Sequence, residues 1–559
     1  MIKVAYRNIP LLTKIVWFLW AVTIVFAWWF IPPRVDDGTY LFPAISVLNN
    51  YPPAGIINDS IQPIFYIFPV QPLLHGIFLK LLSFVSIEIG INSYRVFNYS
   101  LVIFLFFLIH KLFSAVFKNP IHSINASNAS LIILGFSQFS TQFFVNRPEI
   151  LGLVFFLMGL ICSVKFINEE KNSHMHLAIA SFSYGMSIVV HANFIILSGS
   201  MILYLTWRMI VDHRVRLLKF LPIFFIPSAF LLIWIFINFE VSQDQLFGRA
   251  GQSTNEGILD LTALVQMISV ILGNSGNSFA HKIYLSIHMI TLSLAILFLV
   301  GCFVLKNRSY REDNRIVNLF RTLSLAILVL FCLMESWPPN YLLIAFLSII
   351  SVVFYLTNLS FDQSSVIVSN YFKYIVKKFH STIFLCIVSS LFILSLPLFH
   401  LLKVYAYDGY YYNHHTAIER LNNVMSGNEQ IFINSTQLLP LYSSAINKNF
   451  ANEADVNKHN IHWYFPVFSH APGLKSQELM RKTIINDLAL MQEAVWGVEK
   501  EFFYFNEDSD LACLVLTGGK HYIKIRGVKV LHEDRDNLFF VSKSAKLSNK
   551  ISCFDLIIY

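Results

Sequence analysis

The stretch IVWFLWAVTIVFAWWFIP (residues 15–32), followed at once by PRVDDGTY (33–40), decides what kind of chain this is. The first part has no charge and is long enough to cross a hydrocarbon core of ~30 Å. It follows Lys3, Arg7 and Lys14 and ends at Pro32-Pro33 without a small-residue cleavage site. It therefore reads as an uncleaved first helix rather than a signal peptide. The second part sets two adjacent carboxylates, Asp36 and Asp37, directly against that apolar helix.

Working outward, the same apolar texture repeats along most of the chain. The 559 residues are 55% hydrophobic and 13% charged, with 53 Phe. The mean hydropathy is +0.58. A soluble chain carries about 25% charged residues, so this is a membrane protein. The composition excludes a soluble enzyme, a disordered chain and a disulfide scaffold. It also excludes an outer-membrane barrel, whose strands would alternate polar and apolar residues over ~10 positions. Apolar runs at 15–32, 94–116, 128–146, 150–167, 176–190, 193–211, 217–238, 281–305, 316–334, 341–359 and 381–402 give eleven expected spans. The run 175–208 is too long for one helix and breaks at His191-Ala192-Asn193. Residues 71–87 are apolar but carry His75 and Lys80, and read as a helix lying on the outer surface. Residues 258–272 are compatible with the same placement.

Loop charge orients the spans. With the N-terminus inside, the inner segments hold 19 Lys and Arg. The outer ones hold 6: Arg34, Lys80, Arg95, Arg147, Arg249 and Lys282. This is the bias that the positive-inside rule requires. Counting 71–87 as a span would reverse it. Eleven spans then put 404–559 outside. That tail holds 15 basic and 17 acidic residues, a net −2 within a chain of net +8. It gives no support to nucleic-acid binding. The six cysteines fit neither a disulfide framework nor a zinc site. Cys162, Cys302, Cys332 and Cys386 lie in apolar helices as small hydrophobes. Only Cys513 and Cys553 fall in the tail.

Sidedness sorts the acids. Asp36, Asp37, Glu149 and Glu335 all fall at outer helix ends, whereas Glu169, Glu170, Asp212, Glu312 and Asp313 fall inside among basic residues. Paired carboxylates raise one another's pKa, which suits a general base or a cation ligand; a solvated, acidic helix start accounts for them equally. Arg147-Pro148-Glu149 is either an interfacial ion pair or a second acid joining the first two in one cavity. Glu335 closes an apolar span before Trp337 and Tyr341, aromatics that fit the interfacial belt. His191 sits at the break between two short spans and faces outside. The loop after Tyr40 is rich in Pro and aromatics (Tyr51, Phe65, Tyr66, Phe68), a composition that argues for an ordered loop.

These features in this order resemble the GT-C family of integral-membrane glycosyltransferases, whose members include lipid A aminoarabinose transferases and protein O-mannosyltransferases. Asp36-Asp37 resembles the family's acidic motif after the first span. Gln71-Pro72-Leu73-Leu74-His75 resembles its surface helices. Arg147-Pro148-Glu149 stands where an Arg-Pro-Asp element supplies a second acid, and the break at His191 resembles a Lys-Pro or His-Pro break. Pro339-Asn340-Tyr341-Leu342-Leu343 is similar to an element opening a late span. Glu149 replaces an expected Asp, Asn340 a basic residue, and Gln71 a Lys found in some relatives. The resemblance covers roughly 1–400. It implies a GT-C-like helical fold of about eleven transmembrane helices plus surface helices. It also implies a polyprenyl-phosphate-sugar donor entering from the bilayer, an envelope glycan, lipid or protein acceptor at the outer face, and displacement with inversion. Asp36, Asp37 and Glu149 would be catalytic. Arg34, Arg147 and Arg95 would steady the leaving phosphate, with His75, His191, Glu335 and Tyr341 as further substrate contacts. The pattern specifies no cofactor, and a divalent cation on Asp37 and Glu149 is compatible with it.

Beyond 403 the texture changes. Thr416–Met425 and Ser476–Val498 read as helices. Gln430–Ile433, Phe502–Phe505, Ala512–Leu516, Tyr522–Ile525 and Leu538–Val541 read as strands. The chain divides into a transmembrane domain, 1–403, and a small extracytoplasmic α/β domain, 404–559. Asp508-Ser509-Asp510 has the form of a metal-dependent transferase motif but sits in an acidic turn. Asn98 and Asn434 begin Asn-x-Ser/Thr sequons of the kind an Asn-rich chain contains by chance. Three other functions compete with transfer: a lipid-linked-glycan flippase or transporter, a polysaccharide polymerase or ligase, and a non-catalytic sensor. A transporter calls for ionisable residues at mid-span depth, a polymerase for basic outer loops, and a sensor leaves the acidic junctions without a role. Phe, Ile and Asn richness suggests an AT-rich genome and the inner membrane of a bacterium.

Overall fold

The computed structural model describes residues 11–30, 35–48, 50, 52–57, 60–63, 69–85, 91–136, 143, 147–168, 173–191, 193–239, 314–333 and 342–358, and seven strands between 430 and 542. The helices, in chain order, are α1 (Leu11–Phe30), α2 (Val35–Leu48), α3 (Val70–Phe84), α4 (Ile91–Val116), α5 (Pro120–Phe136), α6 (Pro148–Asn168), α7 (Ser173–Val190) and α8 (Phe194–Val211). A 3-10 helix (Val215–Phe224) runs into α9 (Phe225–Ile237), and α10 (Asn314–Leu333) and α11 (Leu342–Asn358) follow. Nine of the eleven expected spans fall on these helices, and 281–305 and 381–402 lie outside the described residues. Four helices among the described residues are long and apolar enough to cross a membrane: Arg95–Val116, Pro148–Asn168, Phe194–Val211 and Val215–Ile237.

The bundle is built around α6, which is buried on nearly every face. It packs against α4, α7, α8, α10 and α11. Glycines let its neighbours come close. A Cβ on Gly159 would meet the Tyr184 ring at 2.8 Å, and one on Gly152 would meet the Phe194 ring at 2.3 Å. Small residues at helix contacts take the place of a hydrophobic driving force that lipid cannot supply. Polar hooks add register. Ser163 and Tyr184 hydroxyls pair at 3.0 Å between α6 and α7, and Ser187 and Ser198 at 2.8 Å between α7 and α8. The Trp20 indole donates to the Leu131 carbonyl at 3.1 Å, joining α1 to α5.

The expected span 128–146 is corrected. The helix there begins at Pro120 and runs to Phe136. Pro is favoured at a first helical position because its missing N–H would have no partner anyway. The Asn119 side chain also accepts the Ile121 N–H at 2.9 Å. The polar run Asn125-Ala126-Ser127-Asn128 is therefore helical and buried in part, with Asn128 donating to Thr13 at 3.1 Å. The expected span 217–238 is likewise not one α-helix. Pro222 lies inside its first half, which is 3-10, and α9 has Pro227 in its first turn. Between α8 and the 3-10 helix the chain reverses at His213, φ 56°. His213 N–H bonds the Ile210 carbonyl and Arg214 N–H the Met209 carbonyl, which satisfies two terminal acceptors of α8.

Over the expected 71–87 stands a short separate helix, α3, Val70–Phe84. Leu73, Leu74, Ile77, Leu81 and Phe84 form its exposed apolar face. Its other face lies on α2, α4 and α7. Gly76 is the point of closest approach to α2, where a Cβ would meet the Val47 Cβ at 2.5 Å and the Ala44 carbonyl at 2.6 Å. The loop between them holds a hairpin, β1 (Ala54–Ile57) with β2 (Ser60–Pro63), that the sequence pattern did not specify.

In the tail, β3 (Gln430–Ile433), β4 (Phe450–Ala451), β5 (Ile461–Phe465), β8 (Val528–Asp534) and β9 (Asn537–Ser542) form one sheet in the order β4-β3-β5-β9-β8. β6 (Leu511–Val515) and β7 (Tyr522–Arg526) pair separately. β3 is parallel to β4 and β5, whereas β9 is antiparallel to β5 and β8. Four expected strands are present within a residue or two, and Phe502–Phe505 and both tail helices lie outside the described residues. β4, β5 and β8 are additions. β8 carries Lys529, Glu533 and Asp534 and stands at the sheet edge, where charge is tolerated and blunts pairing with another chain.

Candidate functional site

Glu149 stands in the first turn of α6, behind Pro148. A carboxylate there is favoured by the helix dipole. His191 follows the last residue of α7, so the two antiparallel helices bring both residues to one end of the bundle. Arg147 Nη2 lies 3.1 Å from Glu149 Oε1, and His191 Nε2 lies 3.9 Å from the same oxygen. The other oxygen, Oε2, is buried and has no hydrogen-bond partner among the described residues.

The break between α7 and α8 orients His191. Its N–H continues the α7 ladder to Ser187, and its carbonyl accepts the Phe194 N–H that opens α8. Its Nδ1 accepts the Asn193 N–H at 3.3 Å. In the neutral ring the proton is then on Nε2, the nitrogen that faces Glu149. Burial lowers the His191 pKa; the Glu149 carboxylate opposes this and the Arg147 cation adds to it.

A second buried group lies on α3 and the start of α4. Gln71, Pro72, His75, Gly76 and Leu79 form the buried stripe of α3. His75 is 0% exposed and stacks on Phe97, with ring centroids 4.5 Å apart and planes 10° from parallel. Phe78 leans on the same ring at 5.4 Å. Neither His75 ring nitrogen has a hydrogen-bond partner among the described residues. Burial pushes the imidazole down to about 3. Arg95, two residues before Phe97, is 1% exposed. Asn98, the next residue, donates to the carbonyl of Phe143, four residues before Arg147, at 2.8 Å.

Of the residues expected to form a site, Arg147, Glu149 and His191 meet in one cluster. His75 and Arg95 share the buried group around Phe97. Asp36 and Asp37 lie in the first turn of α2, and their side chains are outside what the structure describes. Arg34, Glu335 and Tyr341 lie outside the described residues. Sequence reasoning missed Asn98 as a partner of the Phe143 carbonyl, having met it only as a sequon. It also missed the Asn193 amide that fixes the His191 ring; the tight His-Ala-Asn break was its only signal.

The cluster is a buried carboxylate held on one side by a guanidinium, with one oxygen that has no partner among the described residues. Such a group accepts a hydrogen bond from a hydroxyl or takes one position on a hard cation. Among the described residues no three His, Cys, Asp or Glu side chains form a cation site. Glu149 Oε2 fits a single ligand position, and Asp37 would have to supply another.

No family model matches the sequence, and no curated protein sequence matches it. Solved structures do. ArnT from Cupriavidus metallidurans bound to undecaprenyl phosphate aligns with a TM-score of 0.56 and 9% identity, over 97% of this chain and 99% of that one. Its apo form aligns at 0.53 and 9% identity, over 94% and 98%. AglB from Archaeoglobus fulgidus, solved with an inhibitory peptide and a dolichol-phosphate, aligns at 0.43 and 11% identity, over 91% and 74%. The architecture that sets Glu149 and His191 at one end of a helical bundle thus has the fold of ArnT from Cupriavidus metallidurans.

Proposed function

We propose that this chain is a membrane glycosyltransferase that moves a sugar from a polyprenyl-phosphate donor to an envelope glycan, lipid or protein acceptor at the outer face of a bacterial inner membrane. The observation that carries the reading is the alignment, end to end, with a chain solved with undecaprenyl phosphate bound. The Arg147–Glu149–His191 cluster supports it, because it gathers at one bundle end the residues that the resemblance singles out.

In the reaction, an acceptor hydroxyl attacks the anomeric carbon from the face opposite the phosphate. The new C–O bond forms as the bond to phosphate breaks, and polyprenyl phosphate leaves with the electron pair. Asp36 or Asp37 takes the acceptor proton. Arg34, Arg95 and Arg147 stabilise the phosphate, where charge develops. Glu149 Oε2 accepts from a sugar or acceptor hydroxyl, His191 keeps that carboxylate in place, and Glu335 and Tyr341 complete the pocket. A divalent cation on Asp37 and Glu149 would add positive charge at the phosphate. The 404–559 domain covers the outer end and receives the acceptor.

The test is transfer of radiolabel from polyprenyl-phosphate sugars to membrane lipid and glycan fractions by purified protein. Wild type should transfer, and at least one of Asp36→Asn, Asp37→Asn and Glu149→Gln should lose about 100-fold or more, the usual size of an acid–base contribution. Full transfer by both Asp variants, in folded protein, would remove these residues from the mechanism.

A further inference from the structure

His75 is the one fully buried imidazole of the described residues, and the transfer chemistry above gives it no defined part. It lies on a surface helix, where solvating a histidine would cost nothing, yet it faces inward. The outward face of α3 is Leu73, Leu74, Ile77 and Leu81, all exposed. The inward ring is held flat against Phe97 and backed by Gly76, which brings α2 into contact. Packing alone would be served better by Phe at this position, because a buried imidazole with a donor and an acceptor both unmatched is costly. A neutral imidazole offers one donor and one acceptor on opposite sides of a rigid plane. That pair matches a hydroxyl, which also gives one and takes one.

The surroundings say which part of a substrate is met there. Arg95, in the adjoining turn of α4, is a buried cation suited to phosphate. Asn98 ties the same turn to the Phe143 carbonyl. α3 itself touches α7, the helix that ends at His191. His75 therefore lies on a helix that packs both on α2 and on the helix ending at His191. We infer that His75 is a specificity-determining residue that reads a hydroxyl of the donor sugar, while the neighbouring arginines hold the phosphate. Burial keeps the ring uncharged at neutral pH, so it is unsuited to the phosphate itself. The inference rests on the glycosyltransferase reading and adds to it a division of labour between neutral and charged groups.

The experiment compares binding of undecaprenyl phosphate with binding of undecaprenyl-phosphate glucose, galactose and mannose to full-length protein in detergent. Wild type should bind at least one sugar-bearing lipid about 10-fold more tightly than the bare phosphate. His75→Phe keeps the stack on Phe97 but has no polar edge. It should bind bare undecaprenyl phosphate within 2-fold of wild type and lose most of the 10-fold preference. His75→Gln, which restores a donor and an acceptor, should recover part of it. If His75→Phe does not purify as a single species, His75→Leu takes its place with the same expected ratios. Unchanged sugar preference in the apolar variant would overturn the inference and leave the transferase reading intact. Equal binding of bare and sugar-bearing lipids by wild type would also overturn it. Binding of neither lipid would remove the transferase reading and this inference together.

Discussion

At the scale of single residues, His75 also makes a prediction about stability that needs no substrate. Its two unmatched polar atoms are buried, so His75→Phe should raise stability at pH 7 by about 1 kcal/mol. The gain should grow in acid. An unfolded chain takes up a proton on this histidine near pH 6.5, whereas the folded one does not until about 3. Wild-type stability is therefore lost as pH falls from 6.5 towards 3. The gap between variant and wild type should widen by about 2 kcal/mol between pH 7 and pH 5. Thermal unfolding in detergent at the two pH values measures it, and parallel curves would show that His75 titrates normally. Glu149 and His191 were legible in the sequence because a charge or imidazole at an apolar junction has few bland explanations. The Phe143 carbonyl that Asn98 meets was not. A backbone acceptor leaves no trace in residue type, and Asn98 looked like any other Asn in an Asn-rich chain.

At the scale of elements, helix positions were legible because 18 or more apolar residues have few other uses. Helix boundaries were less so. Around 120–128 the residues are polar, and the pattern reads as loop, yet Ser114, Ser123, Ser127, Asn128 and Thr13 satisfy one another or nearby carbonyls inside the bundle. Hydropathy cannot distinguish a polar residue that meets water from one that meets another polar residue. Close helix contacts were equally hidden. A Cβ on Gly185 of α7 would meet the Phe224 carbonyl oxygen at 2.2 Å, whereas one on Gly199 of α8 has nothing within 4 Å. Backbone cannot swing aside as a side chain can. Gly185→Val should therefore destabilise the protein by about 1–3 kcal/mol, while Gly199→Ala should be neutral or stabilise by up to about 1 kcal/mol. Comparing melting temperatures of the two variants tests the contact. Equal melting temperatures would mean that α7 and the 3-10 helix do not touch at Gly185.

At the scale of the whole molecule, loop charge is the basis for the expected orientation. The contact between Glu149 and His191 puts these two residues at one end of the bundle. Orientation in a membrane is tested by labelling. With Cys513 and Cys553 replaced by Ser, Ser469→Cys in the tail should react with an impermeant maleimide added outside intact cells, and Ser173→Cys at the start of α7 should react only after permeabilisation. The opposite pattern would invert the topology. The change from 3-10 to α geometry at Phe224 has a further consequence, for reach. A 3-10 residue advances about 2.0 Å and an α residue about 1.5 Å. From Phe220 to Ile237 the chain thus rises about 30 Å, the thickness of a bilayer's hydrocarbon core, where a uniform α-helix of that length would rise about 27 Å. The five residues before Phe220 extend about 10 Å further. With Phe220–Ile237 across the core, Arg216 and Lys219 would stand at headgroup depth, and the stretched first half would let a short, loosely packed segment span while both its cations stay with the phosphates.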